Sequence, residues 1–91
     1  MDQNWRHDSG EIDLVAADRD VLVACAVRVH NGRVHRDPLA LPAPKIRTLC
    51  RLAVRWQQVH GVRFGQVRVD VAQVTWEGTG GYTIEHVKAV G

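Results

Sequence analysis

Val21-Leu22-Val23-Ala24-Cys25-Ala26-Val27-Arg28-Val29 is apolar at every position except Arg28. A run of this kind, entered from the polar turn Asp18-Arg19-Asp20, is the pattern of a central strand covered on both faces. In a strand successive side chains alternate, so Leu22, Ala24, Ala26 and Arg28 share one face and Val21, Val23, Cys25 and Val27 the other. Working outward, Glu11 to Ala17 alternates Ile12, Leu14 and Ala16 against Glu11, Asp13 and Val15, a strand with one greasy and one mixed face. His30 to Pro44 reads as a loop, with Asn31-Gly32 as a turn and Pro38, Pro42 and Pro44 preventing regular structure.

At Lys45 the period changes to that of a helix, which runs to about His60 with Pro44 at its start and Gly61 as its stop. Ile46, Leu49, Leu52, Ala53, Trp56 and Val59 fall in one arc. Arg47, Arg51 and Arg55 line the opposite side at i, i+4 spacing, where like charges repel by a few tenths of a kcal/mol per pair. That cost is offset when a polyanion faces the stripe; a plain solvated helix face is the alternative. Val67 to Val74 reads as a third strand and Tyr82 to Val90 as a fourth. Glu77-Gly78-Thr79-Gly80-Gly81 joins two strands rather than opening a helix, so it reads as a hairpin turn and not a phosphate cradle.

The chain has 91 residues, enough for one small domain. With 45% hydrophobic and 24% charged residues it has the composition of a globular chain, which argues against disorder. No apolar run approaches the length of a membrane span, and Met1-Asp2-Gln3-Asn4 has no signal-peptide character, so a cytoplasmic location without membrane attachment is expected. Net charge is only +2, but arginine supplies ten of the twelve cations. Arginine forks onto phosphate bidentately, although a codon bias would give the same count. Cys25 and Cys50 have no metal-ligand spacing and read as buried free thiols.

Asn4-Trp5-Arg6, Gly10-Glu11-Ile12-Asp13-Leu14-Val15, the Lys45 to Trp56 helix, Val67-Arg68-Val69-Asp70-Val71 and Ile84-Glu85-His86-Val87 together resemble the YraN family. Its members are bacterial proteins of unproven role, regarded as endonucleases distantly similar to Holliday junction resolvases. The resemblance implies a restriction-endonuclease-like fold: an α/β domain over residues 1–91 with a mixed sheet, one main helix, and the family's first helix missing. It also implies that Asp13 matches a metal-binding aspartate, that Arg28 stands in place of the family's lysine, and that Ala26 occupies the position of a metal-binding glutamate. Ala43-Pro44-Lys45 departs from the family's Thr-Pro-x-Lys.

The chemistry of those residues points the same way. A hard divalent ion needs several oxygen ligands, and Asp13 alone, with Glu11 as a weak second candidate, is a poor metal site. Arg28 can bind phosphate but cannot relay a proton, because guanidinium stays charged. The expectation is a nucleic-acid-binding protein of nuclease-like fold with impaired catalysis, contacting phosphates through Arg28, Lys45, Arg47, Arg51 and Arg55 and binding DNA more readily than RNA, weakly. One alternative is an active endonuclease, using Mg²⁺ or Mn²⁺, completed by Glu11 or a partner subunit. Another is a protein-interaction module. No cofactor is otherwise expected.

Of the histidines, His30 and His35 read as loop residues, His7 and His60 as turn or helix-end residues, and His86 as a half-buried packing residue. Trp56 reads as core, and Trp5 and Trp76 as packing or edge residues. A single helix covers one face of a sheet, so the chain should self-associate, take a partner's helix, or prove unstable alone.

Overall fold

The computed structural model describes residues 2–8, 10–31, 41–76 and 80–88. The elements follow in the order β1 (Asp2–His7), β2 (Gly10–Asp18), β3 (Val21–Asn31), α1 (Ala43–His60), β4 (Gln66–Trp76) and β5 (Tyr82–Val87). They form one five-stranded sheet in the order β1-β2-β3-β4-β5. All neighbours are antiparallel except β3 and β4, which are parallel. Parallel neighbours need a crossover, and α1 supplies it. This is the mixed sheet with one main helix that the sequence suggests.

The α1 helix starts after Pro42, whose carbonyl accepts from Ile46 N–H at 3.1 Å. It stops at Gly61, whose φ of 66° lies in the left-handed region where a residue lacking Cβ is favoured. Gln57 anchors the exit, its carbonyl accepting from Val62 N–H and its side chain from Phe64 N–H. Leu49, Leu52, Ala53 and Trp56 are buried against Ile12, Val15, Leu22, Ala24, Ala26 and Val69 of the sheet. Each large side chain fully withdrawn from water contributes about 1.5–3 kcal/mol, so this layer is the main source of stability. Val59, assigned to the same arc from the periodicity, is 54% exposed and lies outside the buried stripe.

Several boundaries depart from the sequence expectation, with β2 and β4 each running one or two residues past theirs, to Gly10–Asp18 and Gln66–Trp76. Residues Asp2–His7 form a strand that the periodicity does not reveal, because its burial never alternates regularly. The central strand continues through His30 and Asn31, which the loop reading had excluded, since parallel pairing with β4 extends to Asn31↔Trp76. The helix begins at Ala43 rather than Lys45. The last strand ends at Val87. The remainder of the expected loop, 32–40, and residues 77–79 of the expected hairpin lie outside the described residues; Trp76↔Tyr82 closes the antiparallel ladder on either side of the latter.

Alternation also slips within β2. Ile12 and Val15 are three residues apart yet both sit in the core beneath α1, while Leu14 and Ala16 line the opposite side. A regular strand cannot do this. On β1 the same slip occurs across Asn4, whose φ of 51° departs from strand geometry, so that both Asp2 and Trp5 reach α1 or its core. The expected single greasy face of Ile12, Leu14 and Ala16 is therefore divided between two faces.

No helix among the described residues is long and apolar enough to cross a membrane. The face of the sheet away from α1 carries a cleft of about 450 Å³, with Leu14, Val23, Cys25 and Ile84 among its lining residues.

Candidate functional site

The slip in β2 creates a fork. The β2–β3 ladder begins only at Leu14↔Cys25, and before that point β2 pairs with β1 alone. At the point of divergence Asp13 Oδ2 accepts from Val27 N–H at 2.9 Å, taking the place of a strand carbonyl. Extending the register one step sets Asp13 opposite Ala26, so the fold does bring together the two positions that the sequence pairs. Ala26, however, is buried in the core under α1, 5% exposed. Glu11 sits in register with Arg6 on β1, its carboxylate 3.6 Å from that guanidinium. Arg28 follows on β3, half-buried.

These residues do not fit a divalent ion. Asp13 is the one carboxylate at the fork among the described residues, already half committed to a backbone amide, and Glu11 stands 3.6 Å from an exposed arginine on β1. No group of three His, Cys, Asp or Glu side chains among the described residues is placed to hold a metal. An ion that requires six or more oxygens would depend on water for nearly all of them.

The arginine stripe is placed as its spacing implies. Arg47, Arg51 and Arg55, with Lys45, are all exposed on the outer side of α1. The first turn of α1 contains no acidic residue, so the positive end of the helix dipole adds to Lys45 and Arg47. Arg51 and Arg55 also meet the β1–β2 turn, where they line a second cleft of about 340 Å³ with His7, Asp8 and Leu52. Arg55 Nε donates to His7 Nε2 at 3.3 Å and its Nη1 to Gln58 Oε1 at 3.0 Å. Trp5 stacks on His7 with ring centroids 5.4 Å apart, which confirms a packing role for Trp5 within this layer.

A third group was not read from the sequence. Asp70 is fully buried on β4, and Arg68 straddles it, Nε to Oδ1 at 2.9 Å and Nη2 to Oδ2 at 3.1 Å. The remaining Arg68 nitrogen, Nη1, donates to Asp18 Oδ2 at 3.0 Å, and His86 Nε2 lies 2.9 Å from Asp70 Oδ2. The arginine hydrogen bond holds the Asp18 carboxyl below the usual aspartate range despite some desolvation. His86 is thus not a packing residue: its side chain is 46% exposed and serves as a polar partner for a buried acid. The signal for this cluster was present in Val67-Arg68-Val69-Asp70-Val71, where a cation and an acid at i, i+2 share one face of an otherwise apolar strand. Cys25, opposite Asp70 in the register, is buried, and burial together with the Asp70 and Asp13 charges pushes its thiol up, away from reactive thiolate.

At the far end of α1, Trp56 Nε1 donates to Asp2 Oδ2 at 2.9 Å, which keeps the Asp2 carboxyl below its ordinary range. His60 stacks on Trp56, centroids 4.2 Å apart. His30 belongs to β3 by its backbone, and His35 lies outside the described residues.

Comparison with known proteins sets these observations in a lineage. The model described as "Uncharacterised protein family UPF0102" matches residues 1–74. A UPF0102 protein of Streptomyces coelicolor is 42% identical over 93 residues, spanning 99% of this chain and 72% of the relative. One from Kineococcus radiotolerans is 41% identical, covering 99% and 75%. One from a Nocardioides species is 37% identical, covering 100% and 74%.

Proposed function

The chain belongs to the uncharacterised protein family UPF0102, the YraN family, and on that premise we propose that it binds the backbone of nucleic acid through the outer face of α1 without hydrolysing it. The observation that carries this reading is the exposure of Arg47, Arg51 and Arg55 in one line. Three like charges on one face repel one another, and a row of phosphates relieves that repulsion. Lys45 and the acid-free first turn extend the positive strip toward the helix N-terminus. Arg28, half-buried on β3 two residues beyond Ala26, is a further cation that could contribute to phosphate binding. Contacts of this kind position a duplex and carry no base information, so binding is weak and tolerant of sequence, with DNA the favoured partner.

Hydrolysis is set aside because of Ala26 and the engagement of Asp13 described above. The unmodified chain should bind a fluorescein-labelled duplex, and Arg47→Gln/Arg51→Gln/Arg55→Gln should lose that binding while keeping its circular dichroism spectrum. Incubation with Mg²⁺ or Mn²⁺ should leave duplex, branched and single-stranded DNA intact. Retention of affinity by the triple variant ends the binding claim. Cleavage that Asp13→Asn abolishes ends the claim of lost catalysis.

A second reading concerns the sheet face away from α1. Leu14 is 37% and Ile84 62% exposed there, flanking the cleft over Val23 and Cys25. Exposed apolar surface beside an uncovered sheet marks an interaction face, and a second copy of the chain or a partner's helix would cover it. Sedimentation should then show association at high concentration that Ile84→Lys weakens; a monomer that binds no apolar dye contradicts the reading.

A further inference from the structure

We propose that the cleft between the β1–β2 turn and α1 binds the terminal phosphate of a nucleic-acid strand, an inference that rests on the backbone binding proposed above. The cleft is where the arginine stripe stops being a convex helix surface and acquires a second wall. Arg51 and Arg55 stand one helical turn apart on one side, His7 and Asp8 on the other, and Leu52 lines the space between them. Gly10 makes the approach close: a Cβ there would stand 2.7 Å from Leu52 Cδ1, so a side chain at this position would require Leu52 to shift.

The two guanidiniums differ in how they are held. Arg55 is fixed by His7 and Gln58, and neither acceptor carries a formal charge in that role. An imidazole that accepts at Nε2 carries its proton on Nδ1, and Nδ1 lies 3.2 Å from Asp8 Oδ2. Arg55 is therefore oriented without being neutralised, which suits a ligand that arrives with its own negative charge. Arg51 makes no hydrogen bond or ion pair with the described residues and can close onto the same ligand.

A terminal phosphate carries between one and two negative charges at neutral pH, whereas an internal phosphodiester carries one. A two-sided cleft with two arginines matches the former; the open stripe beyond it matches the latter. Arg47 lies one turn further along α1, about 6 Å on, where the next phosphates of the same strand would run. Asp8 is the opposing contribution, since its carboxylate borders the cleft and repels an anion.

Anisotropy measurements with three short single strands test this: one with a 5′-phosphate, one with a 3′-phosphate, and one with two hydroxyl ends that is two nucleotides longer to balance charge. One phosphorylated strand should bind at least tenfold tighter than the hydroxyl-ended strand, and which one does so identifies the end recognised. Arg51→Gln/Arg55→Gln should erase that preference, Arg47→Gln should weaken all three strands equally, and Asp8→Asn should strengthen the phosphorylated strand. Equal binding of all three, or a preference that survives Arg51→Gln/Arg55→Gln, overturns the terminal-phosphate site and leaves backbone binding standing. Binding of none overturns the terminal-phosphate site, and the duplex titration described above then decides backbone binding by itself.

Discussion

Asp70→Ala is expected to cost about 3–5 kcal/mol of folding stability, a large part of the ~5–15 kcal/mol that holds a domain of this size together. Asp70 is fully buried and satisfies two Arg68 nitrogens and one His86 nitrogen at 2.9–3.1 Å. Removing it leaves a guanidinium that has been drawn out of water with only Asp18 to balance it. The loss of a buried partner is costly because the remaining charge keeps its desolvation penalty and loses its attraction. Asp18→Ala should have a much smaller effect, since that side chain is 47% exposed and water can replace it. Urea titration of the two variants separates these outcomes. If Asp70→Ala unfolds at the same urea concentration as Asp18→Ala, the cluster is not a structural anchor of the sheet.

Much of the architecture could be read from periodicity, because burial imposes it. Val21 to Val29 is the central strand, although cover on both faces holds only for Leu22 to Ala26, Val27 and Val29 being 38% and 72% exposed; Leu49, Leu52, Ala53 and Trp56 had to face it, because no other stripe of α1 is apolar enough. What could not be read is where alternation fails. Asn4 and Asp13 shift the faces of β1 and β2 through backbone geometry and a side-chain-to-backbone hydrogen bond, neither of which leaves a hydrophobic signature. The same shift decides the candidate site. Asp13 and Ala26 were recognisable as a pair, yet the engagement of Asp13 by Val27 and the approach of Glu11 to Arg6 depend on pairing between strands distant from any sequence pattern. The arginine stripe was legible because helix spacing alone fixes it. Its meeting with His7 was not, since nothing local to either segment records that the β1–β2 turn folds onto α1.

Ala26→Glu is expected to destabilise the fold by on the order of 3 kcal/mol, or roughly 12–24 °C in Tm, by placing a carboxylate beneath α1. The alanine is 5% exposed and belongs to the apolar core shared by the sheet and α1, where a charged group must find a partner or take up a proton. The available partner is a cation shared with Asp13, across the fork. Mn²⁺ should therefore recover part of the lost Tm in Ala26→Glu, leave the parent unchanged, and recover nothing in Ala26→Glu/Asp13→Asn. Thermal scans of the three proteins with and without Mn²⁺ give the answer. An Ala26→Glu protein as stable as the parent, or a parent that Mn²⁺ stabilises equally, would show that position 26 is not what separates this chain from a metal site.

The salt dependence of binding to duplex DNA tests backbone recognition most directly. If Arg47, Arg51 and Arg55 each neutralise one phosphate, log K should fall linearly with log salt and these three should contribute about −2.7 to the slope, roughly a 40-fold share of the loss between 50 and 200 mM. The slope should be the same for unrelated sequences and shallower by that amount in Arg47→Gln/Arg51→Gln/Arg55→Gln, leaving only what Lys45 and Arg28 supply. A salt-independent affinity, or a slope unchanged in the triple variant, contradicts phosphate binding by α1.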